Sequence, residues 1–385
     1  MLAPTTCGGA RARSIALVGT YPPTACGVAT FTSNLCAAIA PRDSGWAASV
    51  VRVLDRSESW PADEVVEQWV VGDASSLKRS QRVLNSHDVV LLQHEYGLFG
   101  GRDGEDVLEL IDGLSVPLVA VLHTALVTPS AHQREILEGV LGAAVVVVVQ
   151  SHAARRRVLA AHDTDPDAVV VIPHGATVNL SGPALAGMPR PAVLTWGLLS
   201  PGKGIEHGID ALARLRHRTP AASYIVAGQT HPKVRSESGE CYREALHERA
   251  HALGVHGRVC FDDAYRDWDS LRALVRSVDV VLLPYDSRDQ VSSGVLVEAL
   301  ASARPVVATR FPHAEELLAD GAGILVDHGD VGSMADALER VLYEPGLADQ
   351  MGAAARRVAA PMSWPAVGAA YRLVLQAVAE ERAVA

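Results

Sequence analysis

The sequence predicts an α/β protein built from two doubly wound parallel-sheet domains. Three observations carry this. Short runs of branched apolar residues recur along the chain with helix-spaced segments between them, as expected for parallel strands covered by helices on both faces. A stretch rich in proline and glycine, residues 181–191, divides the pattern into two halves of similar size. A length of 385 residues suits two domains at roughly 150 residues each.

In the first half the strand-like runs fall at 15–19, 49–54, 88–93, 118–123, 144–150 and 168–173. The segment 129–142 shows the helical spacing between them, with Ile136, Leu137, Val140 and Leu141 on one stripe. The pattern resumes at 192–197, 223–228, 258–261, 280–285, 305–309 and 323–326. A last helix over 365–381 opens with Pro365, tolerated in a first turn where the amide has no helical acceptor. Val367, Tyr371, Val374 and Val378 share one of its faces, so it packs on something. These boundaries give domains at 1–185 and 186–364, followed by the terminal helix 365–385. Open parallel sheets put functional residues at the carboxyl ends of their strands, and two sheets facing each other would converge on an interdomain cleft.

Composition excludes several function classes. The 34 basic and 44 acidic residues give a net charge of −10, which argues against a nucleic-acid-binding surface. Aromatics at 5% make base-stacking platforms improbable. The five cysteines, Cys7, Cys26, Cys36, Cys241 and Cys260, form no C-x-x-C pair and read as reduced thiols rather than a zinc site or disulfide framework. The apolar run at 143–149 is too short to cross a bilayer, so a cytoplasmic protein is expected. Arg155, Arg156 and Arg157 could meet anionic headgroups at the inner face of the membrane, though a solvated face is their default reading.

Several strand ends carry chemistry-bearing side chains. Gly27 stands where the first strand turns into a helix, a place where backbone N–H groups can approach an anion or hydroxyl, or simply a tight turn. His94 and Glu95 close the third strand and His123 the fourth; a strand-end histidine can hold a hydroxyl, stabilise charge or serve as a structural hydrogen-bonder. His174 lies at another strand end just before the linker, as hinge or ligand contact. In the second half, Gly197, Gly202, Lys203 and Gly204 form a strand-to-helix turn. Glycines with one ammonium at a helix N-terminus suit a phosphate. Lys203 is one of only three lysines, which gives its place in this turn added weight. Ser292, Ser293 and Gly294 read as another helix N-terminus, with the amides of Gly294, Val295 and Leu296 directed at an anion. Glu298, among apolar neighbours one turn further on, needs a hydroxyl-rich partner such as ribose, or a neighbouring arginine. Asp163-Thr164-Asp165 has the form of a metal–nucleotide motif but sits in an acidic loop that reads as solvated.

Together these segments resemble glycosyltransferase family 4, retaining transferases of GT-B fold, over nearly the whole chain. The resemblance rests on the Gly27 loop, His123, VIPHG at 171–175, the turn ending at Lys203-Gly204, SSGVLVEALASARPVVAT at 292–309 and the stretch 313–326. QHEYGLFGG at 93–101 and the segment 228–246 point to a bacterial branch. Two departures stand out. Leu198 occupies the place of an arginine that usually follows the glycine, and the family's Glu-x7-Glu pair is here Gln290 and Glu298.

The resemblance implies that the last helix crosses back to the first domain. It also implies transfer of a hexosyl group, mannose or glucose first, from a nucleotide diphosphosugar such as GDP-mannose to a carbohydrate or lipid-linked hydroxyl acceptor. The transfer would proceed with retention and without a cofactor or essential metal. His123, Lys203 and Gln290 would be catalytic; Gly27, Gly197, Ser293, Gly294, Val295, Leu296 and Glu298 would bind the donor with Lys203; His94, Glu95 and His174 would lie nearby in the cleft. Lys203 and the 294–296 amides would stabilise the leaving phosphate. An amide at Gln290 cannot be a covalent nucleophile, which favours a front-face route. The competing expectations are a sugar-nucleotide epimerase of the same fold, and a non-catalytic protein that binds a nucleotide sugar.

Overall fold

The computed structural model describes residues 13–384 apart from 43, 61 and 265; Cys7 lies outside the described residues. The chain forms two compact units, one made of residues up to Pro173 together with those from Trp364 onward, the other of His174–Ser363.

The first unit runs β1 (Arg13–Gly19), α1 (Gly27–Ile39), β2 (Trp46–Leu54), β3 (Val65–Val70), α2 (Ala74–Leu84), β4 (Val89–His94), α3 (Asp106–Asp112), β5 (Leu118–Leu122), α4 (Ala131–Ala143), β6 (Ala144–Val149), α5 (His152–Ala161) and β7 (Val169–Val171). Its strands lie in the order β3-β2-β1-β4-β5-β6-β7, all pairs parallel. The central strands are buried on both faces, which is why they read as unbroken apolar runs. Helix α4 starts with a capping box, Ser130 accepting from the Gln133 amide while the Gln133 side chain accepts from the Ser130 amide. The edge strand β3 has no counterpart among the expected strands. Its Val66 and Glu67 face outward in part, so the segment lacks the continuous apolar run of a central strand.

The second unit runs β8 (Ala192–Trp196), α6 (Ile205–Arg214), β9 (Ser223–Ala227), α7 (Pro232–Ser238), α8 (Cys241–Ala252), β10 (Val259–Asp262), α9 (Trp268–Arg276), β11 (Val280–Leu283), α10 (Gly294–Ala301), β12 (Val306–Thr309), α11 (Pro312–Leu318), β13 (Gly323–Val326), α12 (Val331–Tyr343) and α13 (Leu347–Ala359). Its parallel sheet has the order β10-β9-β8-β11-β12-β13. The strand order of each sheet reverses beside its first strand, β1 or β8, the position at which doubly wound sheets bind ligands.

The units divide at Pro173, earlier than the Pro/Gly stretch at 181–191. Hydrogen bonds account for the difference. The Ala176 amide donates to the Met362 carbonyl (2.8 Å), the Asn179 side chain donates to Ser302 Oγ (2.9 Å), and the Leu185 amide donates to Ser277 Oγ (2.6 Å). Residues 174–190 are therefore an integral strap of the second unit rather than a loose connector. The closing helix α14 (Trp364–Val384) belongs to the first unit. It buries Val367, Tyr371, Leu375 and Val378 in the core that contains Phe31 and Leu35 of α1, and Arg372 donates to the Ala38 carbonyl at 2.8 Å.

Candidate donor site and strand-end residues

The second unit brings two distant segments together. Gly197, just past β8, lies where an added Cβ would stand 4.0 Å from Val295 Cγ2, at the start of α10. With φ at +124° it holds a conformation that side-chain-bearing residues rarely adopt. Gly204 closes the same turn in the left-handed region, and a Cβ there would collide with the Pro284 carbonyl oxygen. The Asp286 amide donates to Gly202 O at 3.0 Å, tying the turn to the segment after β11. Lys203 extends its ammonium over the Tyr285 ring, 4.4 Å from the centroid, a cation–π contact that orients the charge without neutralising it.

At the N-terminus of α10, Ser293 is the cap: its Oγ accepts from the Leu296 amide at 3.3 Å. This corrects the expectation that Leu296 offers its amide to an anion. Gly294 and Val295 are the first two helical residues, whose amides have no acceptor within the helix. Gln290 donates its amide to Ser292 O at 3.0 Å, bracing the loop before the cap. Glu298 is pushed up to about 7, chiefly by burial, against the Thr177 amide and Arg272, which favour its charged form. Arg272 in turn donates to Thr177 Oγ1 at 3.0 Å, so the strap 174–190 positions the carboxylate. His174 puts Nε2 beside Gly294, where an added Cβ would come within 2.9 Å, and its Nδ1 donates to Gly175 O at 2.7 Å.

Sequence reasoning missed His313, which is 1% exposed and accepts the Ser293 amide on Nδ1 at 2.9 Å. Its signal was faint, a lone histidine after β12. Beside the Lys203 turn, Glu206, His207 and Asp286 each bring a ligating atom within 4.8 Å of the others. Glu206 already accepts from Tyr242 Oη (2.8 Å), and His207 Nε2 is 3.1 Å from Asp286 Oδ1, so each of the three already has a protein partner. Asp165 of the acidic loop accepts the Asp167 amide at 2.9 Å and caps a short turn.

The first unit treats its strand-end residues differently. His94 is 1% exposed, packed edge-on against Tyr96 with neither ring nitrogen hydrogen-bonded, and burial pushes it down to about 4. It is a core residue, which corrects its expected place among site residues: its side chain turns into the protein at the end of β4. Glu95 accepts from Thr124 Oγ1 and from the Tyr96 amide, and burial raises it above the ordinary carboxylate range. His123 stands between two glutamines. The Gln150 amide nitrogen, 3.2 Å from Nδ1, can only donate, so the proton sits on Nε2 and donates to Gln93 Oε1 at 2.9 Å. The N–H expected to serve a sugar hydroxyl thus serves Gln93. Phe31 meets the His123 ring edge-on at 4.9 Å. Cys26 caps α1, and an added Cβ at Gly27 would meet nothing within 4 Å, so no close contact requires that glycine.

A profile of the group 1 glycosyl transferases matches residues 190–344, the span holding the Lys203 turn and α10. The phosphatidyl-myo-inositol mannosyltransferase of Mycobacterium leprae is 31% identical over 274 residues, 68% of either chain. The chain belongs to the group 1 glycosyl transferases. The D-inositol 3-phosphate glycosyltransferase of Corynebacterium diphtheriae is 32% identical over 281 residues, 67% of this chain and 64% of that relative. Among solved structures, Anabaena Alr3699/HepE in complex with UDP superposes with a TM-score of 0.73 at 18% identity, covering 95% of this chain and all of that one. The fold of this group 1 transferase is GT-B, two Rossmann-like parallel-sheet domains.

Proposed function

We propose that this transferase moves a hexosyl group from a nucleoside diphosphosugar to a hydroxyl of a carbohydrate or lipid-linked acceptor, with retention and without an essential metal. Mannose from GDP-mannose is the first choice of donor and glucose from UDP-glucose the second; the mannosyltransferase name of the Mycobacterium leprae relative supports that order. The observation that carries the reading is the approach of Gly197 to Val295 with Lys203 on the adjoining turn. In this reading two backbone edges and one ammonium would flank a bound diphosphate.

In this reading the Gly294 and Val295 amides and Lys203 take the negative charge that grows on the leaving β-phosphate. Glu298 takes the ribose hydroxyls. Gln290 contacts the hexose as an uncharged amide, and the departing phosphate accepts the proton of the incoming hydroxyl on the same face. His123, locked by its glutamines, serves the sugar side by stabilising developing positive charge rather than by donating Nε2–H. We place the protein in the cytoplasm, with at most peripheral contact at the inner face of the membrane; among the described residues no helix is long and apolar enough to cross a bilayer.

The test is incubation with a panel of nucleotide sugars, with and without EDTA, following nucleotide release and the anomeric configuration of any product. Release that persists in EDTA and gives a retained anomer supports the reading. Inversion at C2 of the donor would make the protein an epimerase, and saturable binding without turnover would make it a non-catalytic binder.

A further inference from the structure

The turn between β12 and α11 touches both halves of the donor site although none of its residues faces the donor in the reading above. The ring of Phe311 is 0% exposed and packs 5.2 Å from Tyr285, the ring that carries the Lys203 ammonium. Two residues on, His313 grips the loop before α10 at two points. Its amide donates to Gln290 O at 3.4 Å, and its Nδ1 accepts the Ser293 amide at 2.9 Å. Ser293 is thereby held on three sides, since its Oγ takes the Leu296 amide and its carbonyl takes the Val297 amide.

Donor and acceptor chemistry determines the form of His313. A backbone N–H can only donate, so Nδ1 is bare and the ring is the neutral Nε2–H tautomer. Burial, with His174 adding to it, pushes His313 down to about 3, so the acceptor persists throughout the physiological range. Among the buried polar side chains around α10, it is one that no reading of the sequence assigned to the site.

We infer that His313 is a positioning residue for the phosphate subsite: by accepting the Ser293 amide it fixes the plane of the turn that aims the Gly294 and Val295 amides. This rests on the donor reading given above and extends it to a residue that touches no donor atom. An apolar side chain of similar size would leave the Ser293 amide buried without an acceptor, and the turn would rotate to satisfy it. Asparagine can present a carbonyl oxygen near the place of Nδ1 and should restore the turn.

The readout is the ratio of diphosphate to monophosphate affinity, which general loosening of the protein would leave unchanged. GDP, GMP, UDP and UMP are titrated calorimetrically into wild type, His313→Leu and His313→Asn, with melting temperatures taken in parallel. The expected result is a folded His313→Leu whose diphosphate-to-monophosphate ratio falls at least fivefold, with His313→Asn recovering most of it. An unchanged ratio in His313→Leu overturns the inference. Wild type binding no nucleotide, or binding diphosphates no better than monophosphates, would instead overturn the donor reading. If His313→Leu does not fold, imidazole nitrogen NMR on the wild type decides: a bare Nδ1 whose resonance moves when GDP or UDP binds supports the inference, and an Nδ1–H tautomer or an unmoved resonance refutes it.

Discussion

The two units use the carboxyl ends of their strands in opposite ways. In the first, side chains that look reactive are absorbed by the fold: His94 into the core, Glu95 by Thr124 and the Tyr96 amide, and His123 by Gln93 and Gln150. In the second, the same topological position is furnished mainly by backbone. Gly197 and Gly204 adopt left-handed or extended-positive φ values, two α10 amides lie at a helix start, and one lysine is steadied on an aromatic face. Backbone amides cannot be neutralised or titrated, so a phosphate site built from them is preorganised at any pH at which the protein folds. Reactive-looking side chains at a strand end give no such assurance, because the sheet can use them for its own hydrogen bonding.

The sharpest way to break this contrast is at the Lys203 ammonium. Lys203→Ala should lower kcat/KM by about 10²–10³, or roughly 3–4 kcal/mol of transition-state stabilisation, because Lys203 is the one cation in the turn 197–204. Lys203→Arg should rescue only in part, since a planar guanidinium does not reproduce a point charge. Steady-state kinetics checks both. Full activity in Lys203→Ala would move the phosphate contact to another cation; Arg266, ion-paired with Asp262 at 2.6 Å, is a poor candidate.

Glu298 is the titratable exception within the backbone-built site. Nucleotide affinity should weaken as the pH falls through about 7, when the carboxylate gains a proton and loses capacity to accept from hydroxyls. The stability effect has the opposite sense. A folded-state value above the ordinary carboxylate range means that this group's contribution is complete at acid pH and is lost as the pH rises through about 7. Glu298→Gln should therefore raise the melting temperature at pH 8, by on the order of 1–3 kcal/mol of stability, while weakening nucleotide binding. Calorimetry and thermal melts across pH 5.5–8.5, roughly the span of one titration, would expose either sign being wrong.

In the first unit, His123→Ala should lower kcat while leaving nucleotide affinity unchanged, because the proposed contribution is made in the transition state. Equal loss of folding and activity, traced to the two glutamines, would reduce the histidine to a structural role. Gln290→Glu should keep activity if the amide simply fills a carboxylate's place at the sugar. The smallest effect belongs to Gly27→Ala. With no neighbour to strike, it should leave Tm unchanged or raise it slightly, as Ala outranks Gly in helices by about 1 kcal/mol. Acceptor KM should rise if a substrate uses the open space above α1.

Much of the fold was legible because buried parallel strands announce themselves as apolar runs, and the two sheets follow from them. Edge strand β3 was not, since the polar pair Glu67-Gln68 interrupts its apolar run. The Lys203 turn and the α10 N-terminus were legible because glycine and serine mark backbone positions locally. His94 misled because its strand-end position says nothing of which way the ring turns. His313 stayed hidden because its role arises only when the β12–α11 turn meets the loop 290–293, a contact with no local trace in the sequence.

The second unit is expected to hold a nucleoside diphosphate through Lys203 and the first amides of α10. Calorimetric titration of GDP and UDP into wild type and Lys203→Ala, with GMP and UMP as controls, tests it most directly. The account predicts saturable binding of at least one diphosphate by wild type, weakened tenfold or more by the substitution, with the monophosphate much less affected; tenfold corresponds to about 1.4 kcal/mol. Equal diphosphate affinity in the two proteins would contradict it.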